Sequence, residues 1–243
     1  MISMLLSEAA KTLGSSLTGE DVIFSGCGTD SRTIEEGNLF IALKGEYFDG
    51  HQYISVAEKN GASSLIVDRE VVHTKPSIRV EDTRKAMGLL AKSWREKITI
   101  PLIAITGSNG KTTVKEMVTS ILSTVSNVHA TSGNLNNDIG VPKTLFGLNK
   151  KHNYAVIEMG ANHLGEIEWL SKISSPNIAV ITQCAPAHLE GFKNVESIAE
   201  AKAEIFSGLQ TSGTAIINAD DIYFDFWKNS CKEINQLTFG IKT

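Results

Sequence analysis

The sequence predicts an α/β protein, with a small N-terminal α/β domain over residues 1–82 and a larger domain over 83–243 whose mostly parallel sheet is flanked by helices. Three observations lead there. Short apolar runs alternate with helical stretches, and those of the second half carry few polar residues, as strands covered on both faces must. A glycine-rich turn at 107–110 lies between one such run and an amphipathic helix, which is the strand–loop–helix grammar of an open parallel sheet. With 42% apolar and 21% charged residues over 243 positions, the chain can bury a real core.

In the first domain, the runs at 22–24, 39–43, 65–67 and 78–80 read as strands. A short helix between the second and third carries Tyr53, Val56 and Ala57 on one side, and Asn60-Gly61 is its expected left-handed stop. A helix over 82–97 leads to Pro101 and the next unit, with the boundary placed at 82–100. Strands are expected at 102–105, 154–157, 178–182 and 214–217. In the helix after the first of these, Val114, Met117, Val118, Ile121, Leu122 and Val125 recur at three- and four-residue steps and form one apolar face. Another strand begins at Leu237-Thr238-Phe239-Gly240, so the chain is expected to stop within a connection, as though a piece has been removed.

Composition excludes several classes. A net charge of −4 argues against a nucleic-acid-binding surface. No stretch is long and apolar enough for a membrane span, and the first ten residues carry Glu8 without a basic start, unlike a secretory signal. Cys27, Cys184 and Cys231 are odd in number and share no metal-type spacing, which suits free thiols and a cytoplasmic location.

The chemistry begins at Thr106-Gly107-Ser108-Asn109-Gly110-Lys111-Thr112-Thr113. Gly107 and Gly110 let backbone approach phosphate oxygens, and the following helix offers free N–H groups and the positive end of its dipole. Lys111 supplies a point charge for the β and γ phosphates, and the Thr112 hydroxyl suits Mg²⁺. The usual Walker spacing wants glycine at 105, where Ile105 stands, so this is a shorter variant. Ligands gather beyond the carboxyl ends of such strands, and two more strands end in chemistry. The strand at 154–157 runs into Glu158, a carboxylate placed to hold Mg²⁺ or its water. The strand at 178–182 leads to His188, either a structural loop histidine or a second-metal ligand. In a helix expected over 197–209, Lys202 falls in the arc of Ile198, Ile205, Phe206 and Leu209, while Glu200, Glu204 and Ser207 face away. An inward lysine either snorkels from the core edge or has a lowered pKa, a phosphate partner or a covalent modification.

Together these residues resemble the Mur ligases of peptidoglycan synthesis. The loop at 106–113 is similar to the family's nucleotide loop. Gly133-Asn134-Leu135-Asn136-Asn137-Asp138-Ile139-Gly140-Val141-Pro142, Glu158-Met159-Gly160-Ala161-Asn162-His163, Pro186-Ala187-His188-Leu189-Glu190 and Ala201-Lys202-Ala203-Glu204 look like the member that adds D-alanyl-D-alanine. Asp30-Ser31-Arg32, Ala42-Leu43-Lys44-Gly45 and Phe48-Asp49-Gly50-His51 resemble segments that hold the UDP end of the substrate. The resemblance implies ATP and two Mg²⁺ ions as cofactors, with a UDP-N-acetylmuramoyl tripeptide and D-alanyl-D-alanine as substrates. The tripeptide carboxylate would take the γ-phosphate, and the amine would then displace phosphate from the acyl phosphate.

By the same resemblance, Gly107, Ser108, Asn109, Gly110, Lys111, Thr112, Thr113 and, beside adenine, Asn218 bind nucleotide; Thr112, Glu158, His188 and a carbamylated Lys202 hold metal; Lys111, His188 and Lys202 serve catalysis. Ser31, Arg32, Lys44, Asn134 and Asn137 contact substrate. The family also has a third, C-terminal domain for which 243 residues leave no room, so this chain is expected to fold as a monomer and bind nucleotide without completing ligation. Alternatives are a diamino-acid-adding muramoyl ligase or folylpolyglutamate synthase, or, outside ligases, a kinase or nucleotide-binding module.

Overall fold

In the computed structural model, which describes residues 1–186, 192 and 194–241, short strands form three sheets and helices connect many of them. The chain divides into two compact units, Met1–Lys97 with Leu145–Asn149, and Ile98–Thr144 with Lys150–Thr243. Among the described residues, no helix is long and apolar enough to cross a membrane.

In the first unit, β1 (Ser3–Leu5) leads to α1 (Leu6–Thr12), β2 (Leu17–Thr18), β3 (Ile23–Ser25), β4 (Cys27–Gly28) and β5 (Leu39–Ile41). α2 (Ile54–Lys59), β6 (Ser64–Val67), β7 (Ser77–Arg79) and α3 (Thr83–Lys97) follow. β1 and β3 form an antiparallel pair. The main sheet runs β2-β7-β6-β5-β4, parallel except where β2 meets β7. Leu39, Phe40 and Ile41 are all buried, because both faces of β5 are covered. α2 turns Ile54 and Ala57 inward and leaves Tyr53 and Val56 exposed, so its buried face lies beside the one expected. Gly61 adopts the left-handed φ of 109° expected of the stop. α3 belongs to this unit, whereas the expected boundary at 82/83 gave it to the second. Its Ala86, Met87, Leu90 and Ala91 are buried, and the Thr83 hydroxyl donates to the Ala42 carbonyl at 2.9 Å.

The second unit contains β8 (Leu102–Thr106), α4 (Lys111–Ser123), β9 (Val128–Ala130), the start of α5 (Gly140–Phe146), β10 (Tyr154–Glu158), α6 (Glu166–Ser174), β11 (Ile178–Ile181), α7 (Val195–Ala203), β12 (Thr214–Asn218), α8 (Phe224–Ser230) and β13 (Asn235–Phe239). The strand order is β13-β12-β11-β8-β10-β9, and every pair is parallel. Neighbouring strands β8 and β11 send their outgoing connections to opposite sides, which opens a crevice at their carboxyl ends.

Helix α4 covers the sheet with Val114, Val118 and Leu122. Met117, Ile121 and Val125 are exposed, so the expected six-residue face splits. Met117 and Ile121 sit on the flank of the contact arc, and Val125 lies past the helix end. α7 also ends earlier than expected and tightens into a 3₁₀ turn over Glu204–Gly208. The Ser171 hydroxyl donates to the Ile205 carbonyl at 2.5 Å, and a Cβ on Gly208 would fall 2.2 Å from Ser171 backbone, so close approach to α6 sets this turn.

Candidate active site

The loop after β8 is shaped by two glycines with left-handed φ values, Gly107 at 149° and Gly110 at 79°. A Cβ on Gly107 would lie 1.9 Å from the Thr182 hydroxyl oxygen, so no larger residue fits. That hydroxyl lies 2.6 Å from the Asn109 carbonyl and 3.2 Å from the Thr106 carbonyl, and thereby holds the loop from β11. Gly110 is the N-cap of α4 and brings no side-chain cap, which leaves the first-turn N–H groups for an anion. The Lys111 amino group folds over the loop and donates to the Gly107 carbonyl at 2.7 Å. Burial pulls its pKa down, and the charge of Glu158 opposes that shift.

Not every loop residue is available. The Ser108 N–H donates to the Gln183 carbonyl at 2.8 Å, and its hydroxyl lies 2.9 Å from the Ala185 carbonyl and 3.0 Å from the Ala185 nitrogen. Ser108 therefore staples the loop to the segment after β11. Asn218 reaches the same segment, its amide donating to the Thr182 carbonyl at 2.8 Å, and Asp221 accepts from the Cys184 N–H at 2.7 Å.

Glu158 ends β10 almost fully buried, with both carboxylate oxygens engaged. Oε2 accepts from the Thr112 hydroxyl and Oε1 from the Asn136 amide, each at 2.8 Å. A hydroxyl and a carboxylate side by side are hard oxygen donors, which suit a small divalent cation whose remaining positions are filled by water or phosphate. Among the described residues, no group of three His, Cys, Asp or Glu side chains could hold a metal by itself. His188 lies outside the described residues.

Lys202 is buried, as the helical arc implies, at 3% exposure. Burial pulls its pKa down to about 8, with the nearby charge of Lys111 adding to the shift. Cys184 feels Lys202 too, although burial pushes its thiol up to about 11. Lys111, Thr112, Glu158, Lys202 and Asn218 thus gather around the carboxyl ends of β8, β10, β11 and β12.

Asn137 and Asn134 play quieter parts. The Asn137 side-chain oxygen accepts from the N–H groups of Ile139 and Gly140 at 3.2 and 2.8 Å, capping α5, while the Asn134 carbonyl accepts from the Asn136 N–H at 2.8 Å. Asn136, two residues after Asn134 and one before Asn137, is the asparagine that meets Glu158; nothing in the sequence separates the three. Lys115, Thr131 and Thr182 were also missed, and of these only Lys115 carries a sequence signal, its place on the inward side of α4.

In the first unit, Ser31 is buried, and its carbonyl accepts from the Asn60 amide at 2.8 Å. Arg32 is exposed and forks onto Asp30 at 2.9 and 2.6 Å. Lys44 is exposed and bridges Asp49 through the backbone. The buried His51 ring lies between two acids, with Nδ1 2.7 Å from Asp49 Oδ1 and Nε2 3.1 Å from the Asp68 N–H, and so fixes the loop.

Residues 105–243, which hold the glycine loop, Glu158 and Lys202, match the family model for the Mur ligase middle domain. The chain belongs to the Mur ligase family. Residues 23–95 match a second Mur ligase model, described as the family's catalytic domain. The chain is similar to the UDP-N-acetylmuramoyl-tripeptide–D-alanyl-D-alanine ligase of Escherichia coli, at 46% identity over 94% of this chain and 51% of the relative. With the ligase of the same name from Haemophilus influenzae, identity is 48% over 97% and 52%. A crystal structure of MurF from Acinetobacter baumannii superposes with a TM-score of 0.95 at 38% identity, covering 99% of this chain and 54% of that one. For the Thermotoga maritima MurF ligase in complex with ADP, the TM-score is 0.79 at 33% identity, over 88% and 50%. The chain spans about half the length of the curated relatives it matches.

Proposed function

We propose that this Mur ligase chain serves an ATP-dependent amide ligation in peptidoglycan precursor synthesis, joining D-alanyl-D-alanine to a UDP-N-acetylmuramoyl tripeptide. The observation that carries the reading is the cluster of Lys111, Thr112, Glu158 and Lys202 at the carboxyl ends of one parallel sheet. The names of the relatives at 46% and 48% identity support the choice of substrates, and the ADP complex of the T. maritima relative supports nucleotide at the glycine loop. We take the chain to be a monomer that works in the cytoplasm.

The chemistry to be served is the meeting of two anions. A carboxylate oxygen of the tripeptide forms a bond to the γ-phosphorus as the bond to ADP breaks. The amine of D-alanyl-D-alanine then attacks the acyl carbon, loses a proton, and expels phosphate. Like charges must approach, so the protein has to place cations between them. Lys111, which here rests on the Gly107 carbonyl, would pair with the β and γ phosphates, and the first-turn N–H groups of α4 would donate to phosphate oxygens. Thr112 and Glu158 would hold one Mg²⁺, and Lys202, as a carbamate, and His188 a second. Magnesium supplies charge neutralisation of the phosphates. The buried Lys202 amine, with its pKa near 8, is neutral often enough to take up carbon dioxide, releasing a proton and reversing its charge.

Two measurements test this. Calorimetric titration with ADP and Mg²⁺ reads the site itself; no binding to the chain, or binding indifferent to Glu158→Gln, rejects the nucleotide reading in the first case and Glu158 as a metal holder in the second. Hydroxylamine added with ATP and the UDP-linked tripeptide traps an acyl phosphate as a hydroxamate. A stable phosphorylated product instead would identify a kinase.

A further inference from the structure

We propose that Lys115 is a positioning residue for Glu158 and acts through Thr131; this rests on the nucleotide and metal reading above. Lys115 stands one helical turn beyond Thr112 on α4, and its side chain is only 2% exposed. Its amino group donates to the Thr131 carbonyl at 2.9 Å and pairs with Glu116 Oε1 at 2.6 Å. Thr131 directly follows β9 and is buried. Its N–H donates to the Val156 carbonyl at 3.0 Å, and its hydroxyl accepts from the Glu158 N–H at 2.9 Å.

Helix α4 therefore reaches Glu158 by two routes. Thr112 touches the carboxylate directly, while Lys115 grips the backbone of the residue whose hydroxyl fixes the Glu158 main chain. The second route answers a local weakness. β9 is a three-residue edge strand that, among the described residues, pairs only with β10, so its end is prone to fray. A lysine is costly to bury, and a neutral residue would fill the space more cheaply. A charged donor makes a stronger bond to a carbonyl than a neutral one does, which suits a tie that must not slacken. The tie spans the helix that carries Thr112 and the strand end that orients Glu158, so it fixes the spacing of the two oxygen donors.

The test is ADP titration of the chain with Mg²⁺ and with EDTA, alongside thermal denaturation. The parent gains affinity when Mg²⁺ is present. Lys115→Met and Thr131→Val should each lose about tenfold of that gain, as changes behind metal ligands typically do, while affinity in EDTA stays at the parent value. Thr131→Ser keeps the hydroxyl and should keep the gain. Thr131→Val preserves side-chain shape, so it remains informative should Lys115→Met fold poorly. If both variants lower the melting temperature yet retain the parent's Mg²⁺-dependent gain, Lys115 is a structural tie and the proposal falls. A parent chain with no such gain overturns the nucleotide and metal reading before any substitution is made, and the positioning role with it.

Discussion

The hydroxyl of Thr112 donates to Oε2 of Glu158 at 2.8 Å, joining the start of α4 to the end of β10, three elements later along the chain. Each side chain is ordinary alone. Held together beside the glycine loop, they form a pair of hard oxygen donors whose spacing the protein sets before any ion arrives.

That pair predicts a specific loss. Thr112→Val keeps the shape and removes the hydroxyl, and should cost more than about tenfold of the Mg²⁺-dependent ADP affinity, with Thr112→Ser close to the parent. Calorimetry with and without Mg²⁺ reads the difference. Equal Mg²⁺ dependence in the valine variant would remove Thr112 from the metal site.

Gly107 should tolerate no substitution. In Gly107→Ala the new methyl meets the Thr182 hydroxyl at 1.9 Å on a backbone with φ of 149°. The strain alone costs roughly 1–3 kcal/mol, and Thr182 must also abandon Asn109 and Thr106. Denaturant unfolding should show the drop, and ADP binding should vanish. An alanine variant of parent stability would show that the loop has another conformation to adopt.

The two adjacent asparagines should separate by readout. Asn137→Ala removes the cap of α5 and should cost about 1 kcal/mol of stability while leaving Mg²⁺ dependence intact. Asn136→Ala frees Glu158 Oε1 and should weaken the Mg²⁺-dependent gain about tenfold. Identical profiles for the two variants would contradict this division of labour.

Lys202 should make stability depend on pH. Its folded pKa of about 8 lies below the ordinary 10.5, so between these values the unfolded chain holds a proton that the folded chain lacks. Stability then rises with pH across that window, and below pH 8 the cost of burying the charge is present in full. In carbonate-free buffer, Lys202→Met should abolish the slope and stabilise the chain at pH 7 by about 1–3 kcal/mol. Parallel curves for parent and variant from pH 7 to 10.5 would disprove the shift. With ¹³C-bicarbonate, the parent should show a carbamate carbonyl resonance that Lys202→Arg lacks.

Much of this was legible from periodicity and spacing. The apolar runs at 102–105 and 154–157 became β8 and β10, extended by the residues that carry chemistry, Thr106 and Glu158. Stepping along α7 placed Lys202 inside, because a helix fixes side-chain direction at ~100° per residue whatever surrounds it. The same stepping puts Lys115 beside Leu122 on the buried side of α4, so its burial too was written in the order of residues. Short edge strands such as β9 left no mark, since three residues make no period.

The order of residues by itself determined the strand–loop–helix frame, the glycine turn and the inward lysines, since these follow from local backbone geometry and from which side chains avoid water. Only the tertiary structure decided which asparagine meets Glu158, that Ser108 serves the neighbouring loop, and that Thr182 closes over Gly107. Those pairings join residues tens of positions apart. They depend on how parallel strands line up, and no local pattern encodes that alignment.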